Sequence, residues 1–203
     1  YDEQRYDSLH GYARDLIEVL DAEQASQVRF VGHSVSGMIG ALAAIERSDL
    51  FASLMMICPS PRYLDDVDYR GGFSRDDVQG LLDAIDANQV AWAASLAPAV
   101  TARPDRPEIS ERVRQQFATA PARAATQFAR VVFLSDTRSR LSEIPVPCVV
   151  LQSRGDISCP PHIGAYLRDR IPDCRLIELD SAGHFVHLTE PELIEARIRE
   201  ELP

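Results

Sequence analysis

Ser34, Asp156 and His184 are the residues of this chain whose types and surroundings could do covalent chemistry together. A serine hydroxyl is a poor nucleophile until a base takes its proton, and the base works best when a carboxylate holds its ring in the right tautomer. The chemistry open to such a set is acyl transfer, with attack on an acyl carbon and release of the acyl group by water. Ser34 stands in Gly32-His-Ser-Val-Ser36, between a β-rich run (Val28, Phe30, Val31) and a helical run from Met38 to Ile45. Strand, tight turn and helix with one Ser at the apex is the layout of a nucleophile elbow. Such a turn asks for small residues two positions either side of the Ser. Gly32 meets that demand, whereas Ser36 stands where Gly is usual. A serine before a helix also reads as an N-cap. Taken singly, Asp156 reads as a turn residue and His184 as a loop histidine.

The elements that would position these three residues follow from periodicity. Residues 8–21 have apolar side chains at helical spacing (Leu9, Tyr12, Leu16, Val19, Leu20), which predicts an amphipathic helix. A strand at 28–31 and a helix at 35–47 follow, and Leu54-Met-Met-Ile-Cys58 is an apolar run suited to a strand buried on both faces. Loop residues lead into helical patterns around 74–97, 108–119 and 122–134, which predicts a helical subdomain inserted over about residues 62–138. Strands at 147–152 and 174–179 then alternate with helices at 161–171 and from Pro191 to about Leu202. Strand–helix alternation indicates an α/β sheet. Residues 1–61 and 139–203 are expected to form one domain around the insertion. In open α/β sheets the chemistry sits past the carboxyl ends of strands. Ser34, Asp156 and His184 each follow one of the predicted strands.

The chain has 203 residues and a formal charge of −10, with no block of Lys or Arg. That argues against nucleic acid or an anionic membrane surface as partner. Cys58, Cys148, Cys159 and Cys174 show no C-x-x-C pairing and read as reduced thiols of a cytoplasmic protein. There is no membrane-length apolar run, and a first residue of Tyr says nothing about targeting. His187 near His184 lacks a third donor for a metal, and Asp65, Asp66 and Asp68 read as a solvated loop. His10 and His162 are expected at the surface, and His33 is expected to point away from the site.

Several longer stretches carry a resemblance. Gly32-His-Ser-Val-Ser-Gly-Met-Ile-Gly40, Pro61-Arg-Tyr-Leu-Asp-Asp-Val-Asp-Tyr69, Gly71-Gly-Phe73, Pro104-Asp-Arg-Pro-Glu-Ile109 and Phe133-Leu-Ser-Asp136 are similar to the RsbQ-like stress-regulator hydrolases of bacteria. They are also similar to the related plant karrikin and strigolactone receptors. The likeness runs over essentially the whole chain, and Ser at position 36 is usual in that family. It implies an α/β-hydrolase fold with an inserted four-helix lid over a deep apolar pocket, and the chain order Ser, Asp, His is the one that fold uses. By position, Ser34 matches the nucleophile, Asp156 the orienting acid, His184 the base and Val35 the residue whose N–H binds the oxyanion. Phe73, Trp92, Leu96 and Phe133 match pocket-lining positions, although helix packing alone would also explain them. The resemblance further implies a small apolar ester or lactone as ligand, no cofactor, and a regulatory protein partner, a phosphatase among the bacterial members. Members of the family begin with several strands and a His-Gly loop not found in this chain. The expectation is therefore of a C-terminal part of a longer protein, with the second oxyanion donor on the preceding part.

Overall fold

Leu54-Met-Met-Ile57 is apolar at every position, so a strand that carries it needs cover on both faces. The computed structural model describes residues 1–202. In chain order these form α1 (Leu9–Ala22), β1 (Val28–His33), α2 (Val35–Glu46), β2 (Phe51–Ile57), α3 (Arg75–Thr101), α4 (Pro107–Thr119), α5 (Ala122–Leu134), β3 (Cys148–Gly155), α6 (Pro161–Arg168), β4 (Cys174–Ala182), α7 (Val186–Thr189) and α8 (Pro191–Glu201). The strands make one parallel sheet in the order β1-β2-β3-β4. Successive side chains of a strand turn to opposite faces. Leu54, Met56, Cys148 and Val150 accordingly join a core with residues of α1, α2 and α6. Met55, Ile57, Val149 and Leu151 join a second core with α7 and α8. Among the described residues β1 pairs with β2 alone, and its Arg29 and Val31 are exposed.

β3 and β4 run further than the apolar pattern predicted, to Gly155 and Ala182. The extensions are polar, and only Ser153 in them is a buried polar residue: its Oγ donates to Ser181 O at 2.9 Å, while Arg154 and Asp180 are exposed. Buried Gln152, at the end of the predicted run, donates its Nε2–H to Cys159 O at 2.7 Å. Those bonds meet the requirement that buried polar groups find partners. The Gln152 bond also ties the loop after β3 back to that strand, and the Ser153 bond ties β3 to the end of β4.

Between β2 and β3 the chain forms a block of helices. α3 opens with Ser74 and Asp77 capping each other reciprocally. It breaks at Asn88 (φ −162°, ψ 91°), whose Oδ1 accepts the Ala91 N–H at 3.0 Å. An Asn side chain offers the backbone this alternative to its helical bond. The single pattern read at 74–97 is therefore two helical segments reaching Thr101, and with α4 and α5 the block holds four. The strap before it, residues 60–73, is tightly cross-linked. Asp65 Oδ1 accepts from Gly71 N–H and Gly72 N–H at 2.9 and 3.0 Å. Asp66 pairs with Arg138, and Arg62 with Asp136, joining the strap to the chain after α5. Asp65 and Asp66 are thus structural acceptors, while Asp68 is exposed.

Met56 is fully buried between the sheet and α2. Met56→Ala is expected to lower unfolding free energy by about 2–5 kcal/mol, read as a drop in the urea midpoint at unchanged slope.

Candidate active site

Ser34 sits at the β1–α2 turn with φ 56° and ψ −130°, a conformation costly for a residue with a side chain. The neighbouring backbone holds it there. Ser34 N–H donates to Ile57 O at 2.8 Å, and Ser34 O accepts from Gly37 N–H at 3.0 Å. A Cβ on Gly32 would lie 2.7 Å from both Gly37 N and Ser36 C, so no larger residue fits that position. The tight approach at position 36 is made by its backbone carbon, which explains why a serine is tolerated where glycine is usual. Val35 opens α2, and the first amides of a helix have no intrahelical acceptor, which leaves its N–H available to an oxyanion.

Asp156 lies just past β3 and is buried. Its Oδ1 accepts from Ser158 N–H at 2.8 Å and Cys159 N–H at 3.0 Å, which leaves Oδ2 to accept from His184 Nδ1 at 2.8 Å. One carboxylate oxygen of Asp156 therefore closes the turn, and the other faces His184. His184 follows Gly183, which adopts φ 80°. A Cβ there would lie 2.5 Å from Thr101 O, so the loop runs flush against the end of α3. His184 N–H donates to Val100 O at 2.6 Å, and its Nε2 lies 2.8 Å from Ser34 Oγ. The three residues predicted from separate loops thus form one continuous hydrogen-bonded chain.

Two neighbours were not anticipated. Tyr63 is buried with its OH 3.2 Å from Ser34 Oγ. With the serine proton directed at His184, that Oγ is left to accept, so the phenol donates. Burial pushes the Tyr63 phenol well above its usual range, keeping it a donor. A signal existed, because Tyr63 lies on the loop leaving β2, which is paired beside β1. The second neighbour is His33. Contrary to the expectation that it points away from the site, its ring faces the histidine loop, where its Nε2 finds an acceptor in His184 O at 2.8 Å. Its ring centroid lies 4.6 Å from that of His184 and 4.3 Å from that of His187. Burial, then those two imidazoles, push the His33 pKa well below the usual histidine value.

Cys58 Sγ, Asp156 and His184 bring potential metal-ligand atoms within 4.8 Å of one another, the one such group among the described residues. Asp156 and His184 spend those atoms on each other, and burial pushes the Cys58 thiol far up, against the thiolate a metal needs. The cluster is built for hydrogen bonding.

The four pocket candidates fall in two groups, Phe73 and Phe133 beside Tyr63, and Trp92 and Leu96 in the cluster that reaches His184 through Phe117 and Phe185. Phe73 and Phe133 pack on Tyr63, at 6.3 and 5.3 Å between centroids. Trp92 packs on Phe117 at 5.3 Å, and Leu96 joins the apolar cluster that includes Phe185, the residue after His184. A hollow of about 420 Å³ between the start of α1 and the end of α5 lies off the triad, lined by Leu9, Leu42, Gln127 and Leu134 among others.

Comparison with known proteins agrees with this geometry. A protein of Oryza sativa subsp. japonica named as a probable esterase is 38% identical over 196 residues, covering 96% of this chain and 72% of the relative. A karrikin insensitive 2 receptor of Petunia hybrida matches with the same identity and coverage. The solved structure of a hydrolase from Oleispira antarctica superposes with a TM-score of 0.95 at 36% identity, covering 98% of this chain and 74% of that one. Residues 2–197 match the model of the alpha/beta hydrolase family. The chain therefore belongs to the alpha/beta hydrolase family.

Proposed function

We propose that this protein hydrolyses a small apolar ester or lactone through an acyl-enzyme on Ser34. The observation that carries this reading is the pair of 2.8 Å contacts by which His184 joins Ser34 Oγ to Asp156 Oδ2. In the first step Ser34 Oγ attacks the acyl carbon while its proton passes to His184 Nε2. Asp156 accepts from Nδ1–H and so keeps Nε2 free as the base. The Val35 N–H stabilises the oxyanion, and the protonated His184 returns its proton to the leaving alkoxide. A water, deprotonated by the same imidazole, then releases the acid and restores Ser34. Every proton in this cycle is carried by residues of the chain, so the reaction calls for no cofactor.

The esterase name of the rice relative supports the reaction class. The helices between β2 and β3 serve as the lid in this reading, with Phe73, Trp92, Leu96 and Phe133 as the apolar surface for the ligand. No helix among the described residues is long and apolar enough to cross a membrane. Four unpaired thiols, three of them buried, support a reducing, cytoplasmic setting. The RsbQ-like link to stress signalling rests on the sequence motifs.

The receptor name of the petunia relative favours a second reading, in which the same site senses a small molecule and regulates a protein partner such as a phosphatase. Binding to a partner that survives Ser34→Ala, with little turnover by the wild type, would favour this sensor.

Hydrolysis of p-nitrophenyl acetate by the intact protein is expected to show a burst or turnover that vanishes in Ser34→Ala, and equal rates in the two would refute the enzyme. Tyr63→Phe removes one donor from Ser34 Oγ, worth about 0.5–1.5 kcal/mol. Its kcat is expected to fall up to about tenfold with KM little changed, as steady-state kinetics would show.

A further inference from the structure

The ring of His33 is adjacent in sequence to the nucleophile but is spent on the base. The backbone of His184 is held on both sides of its Cα: its N–H donates to Val100 O at 2.6 Å, and its carbonyl oxygen lies 2.8 Å from His33 Nε2. The side chain beyond that Cα has two soft torsions, and Asp156 restrains the ring at Nδ1. We infer that His33 is a positioning residue for the base: by donating Nε2–H to the carbonyl oxygen of His184 it sets the reach of His184 Nε2 to Ser34 Oγ. This inference rests on the reading of His184 as the base.

Two features of the geometry argue for it. His33 ends β1 and Ser34 follows it directly, so one strand end fixes both the nucleophilic oxygen and the point from which the base hangs. A small shift of the elbow carries both together and preserves the 2.8 Å contact between residues 150 positions apart. The second feature is charge. His184 becomes cationic as it takes the serine proton, and a cation on a ring 4.6 Å away would oppose that step. His33 must therefore donate while neutral. Its titratable neighbours are His184 and His187, with Arg112 acting on His187 from α4. Burial and the facing imidazoles keep His33 uncharged. A neutral Nε2–H tautomer supplies the donor the carbonyl needs.

The test compares His33→Leu, which removes the donor, with His33→Gln, whose side-chain N–H₂ reaches about as far as Nε2, beside wild type and Ser34→Ala on p-nitrophenyl acetate. The expected result is a kcat about 10²-fold lower in His33→Leu with KM nearly unchanged, most of it restored in His33→Gln. Wild-type kcat and pH profile in His33→Leu, while Ser34→Ala is inactive, would overturn the inference and leave the hydrolase reading standing. An equal loss in both variants would overturn it too, since packing and not the donor would then matter. Should His33→Leu fail to fold, or the wild type show no turnover, ¹⁵N NMR of the histidines in the wild type decides. A neutral His33 with its proton on Nε2 at about pH 7 is expected, whereas a proton on Nδ1, which would leave the His184 carbonyl without that donor, would overturn the inference.

Discussion

The 2.8 Å contact between His184 Nε2 and Ser34 Oγ joins residues 150 positions apart. Neither loop could hold that distance alone. Ser34 is fixed by a strained turn that exists only because β1 and α2 pack closely across Gly32. His184 is fixed by a loop that presses on the end of α3, and its backbone is bonded on both sides of its Cα. Parallel strands make the meeting feasible, because β1, β3 and β4 all deliver their carboxyl ends to one side of the sheet. Buried Gln152 then ties the loop after β3 to that strand, and Ser153 ties β3 to the end of β4.

Around this contact the protein arranges groups that stay neutral. Tyr63 is kept as a phenol, Cys58 as a thiol and His33 as an imidazole, in each case mainly by burial. That choice suits a site in which charge appears transiently on a serine oxygen and an imidazole. Beyond the Asp156 carboxylate, a further standing charge would bias one step against the other, whereas neutral donors can strengthen as charge develops. Asp156 is satisfied by two backbone amides in addition to His184, so its orientation does not depend on the histidine.

Much of this was legible in the sequence, and for a physical reason. A strand buried on both faces must be apolar throughout, so β2 and the start of β3 announce themselves, and the residues just after strands are few enough to inspect for chemistry. The end of β3 beyond Gln152 was not legible, because buried Ser153 finds its partner, Ser181 O, 28 positions away. The break at Asn88 was missed for a related reason, since apolar periodicity continues through a residue whose side chain competes with the helix. Tyr63 and His33 touch the triad through contacts 29 and 151 positions apart; the place of Tyr63 on the loop after β2 was a usable signal, whereas the reach of His33 to the His184 carbonyl left none. The fold family was readable from motifs; the neutral ring of neighbours arises only when remote segments of the folded chain meet.

The central claim is that Ser34 is made nucleophilic by His184. Labelling with a fluorophosphonate ester, followed by mass spectrometry of the digested protein, tests it most directly. The account predicts one adduct per chain, on the peptide that carries Ser34, and loss of labelling in His184→Asn. No adduct on the wild type, an adduct on another residue, or labelling of Ser34 that proceeds unchanged in His184→Asn would contradict it.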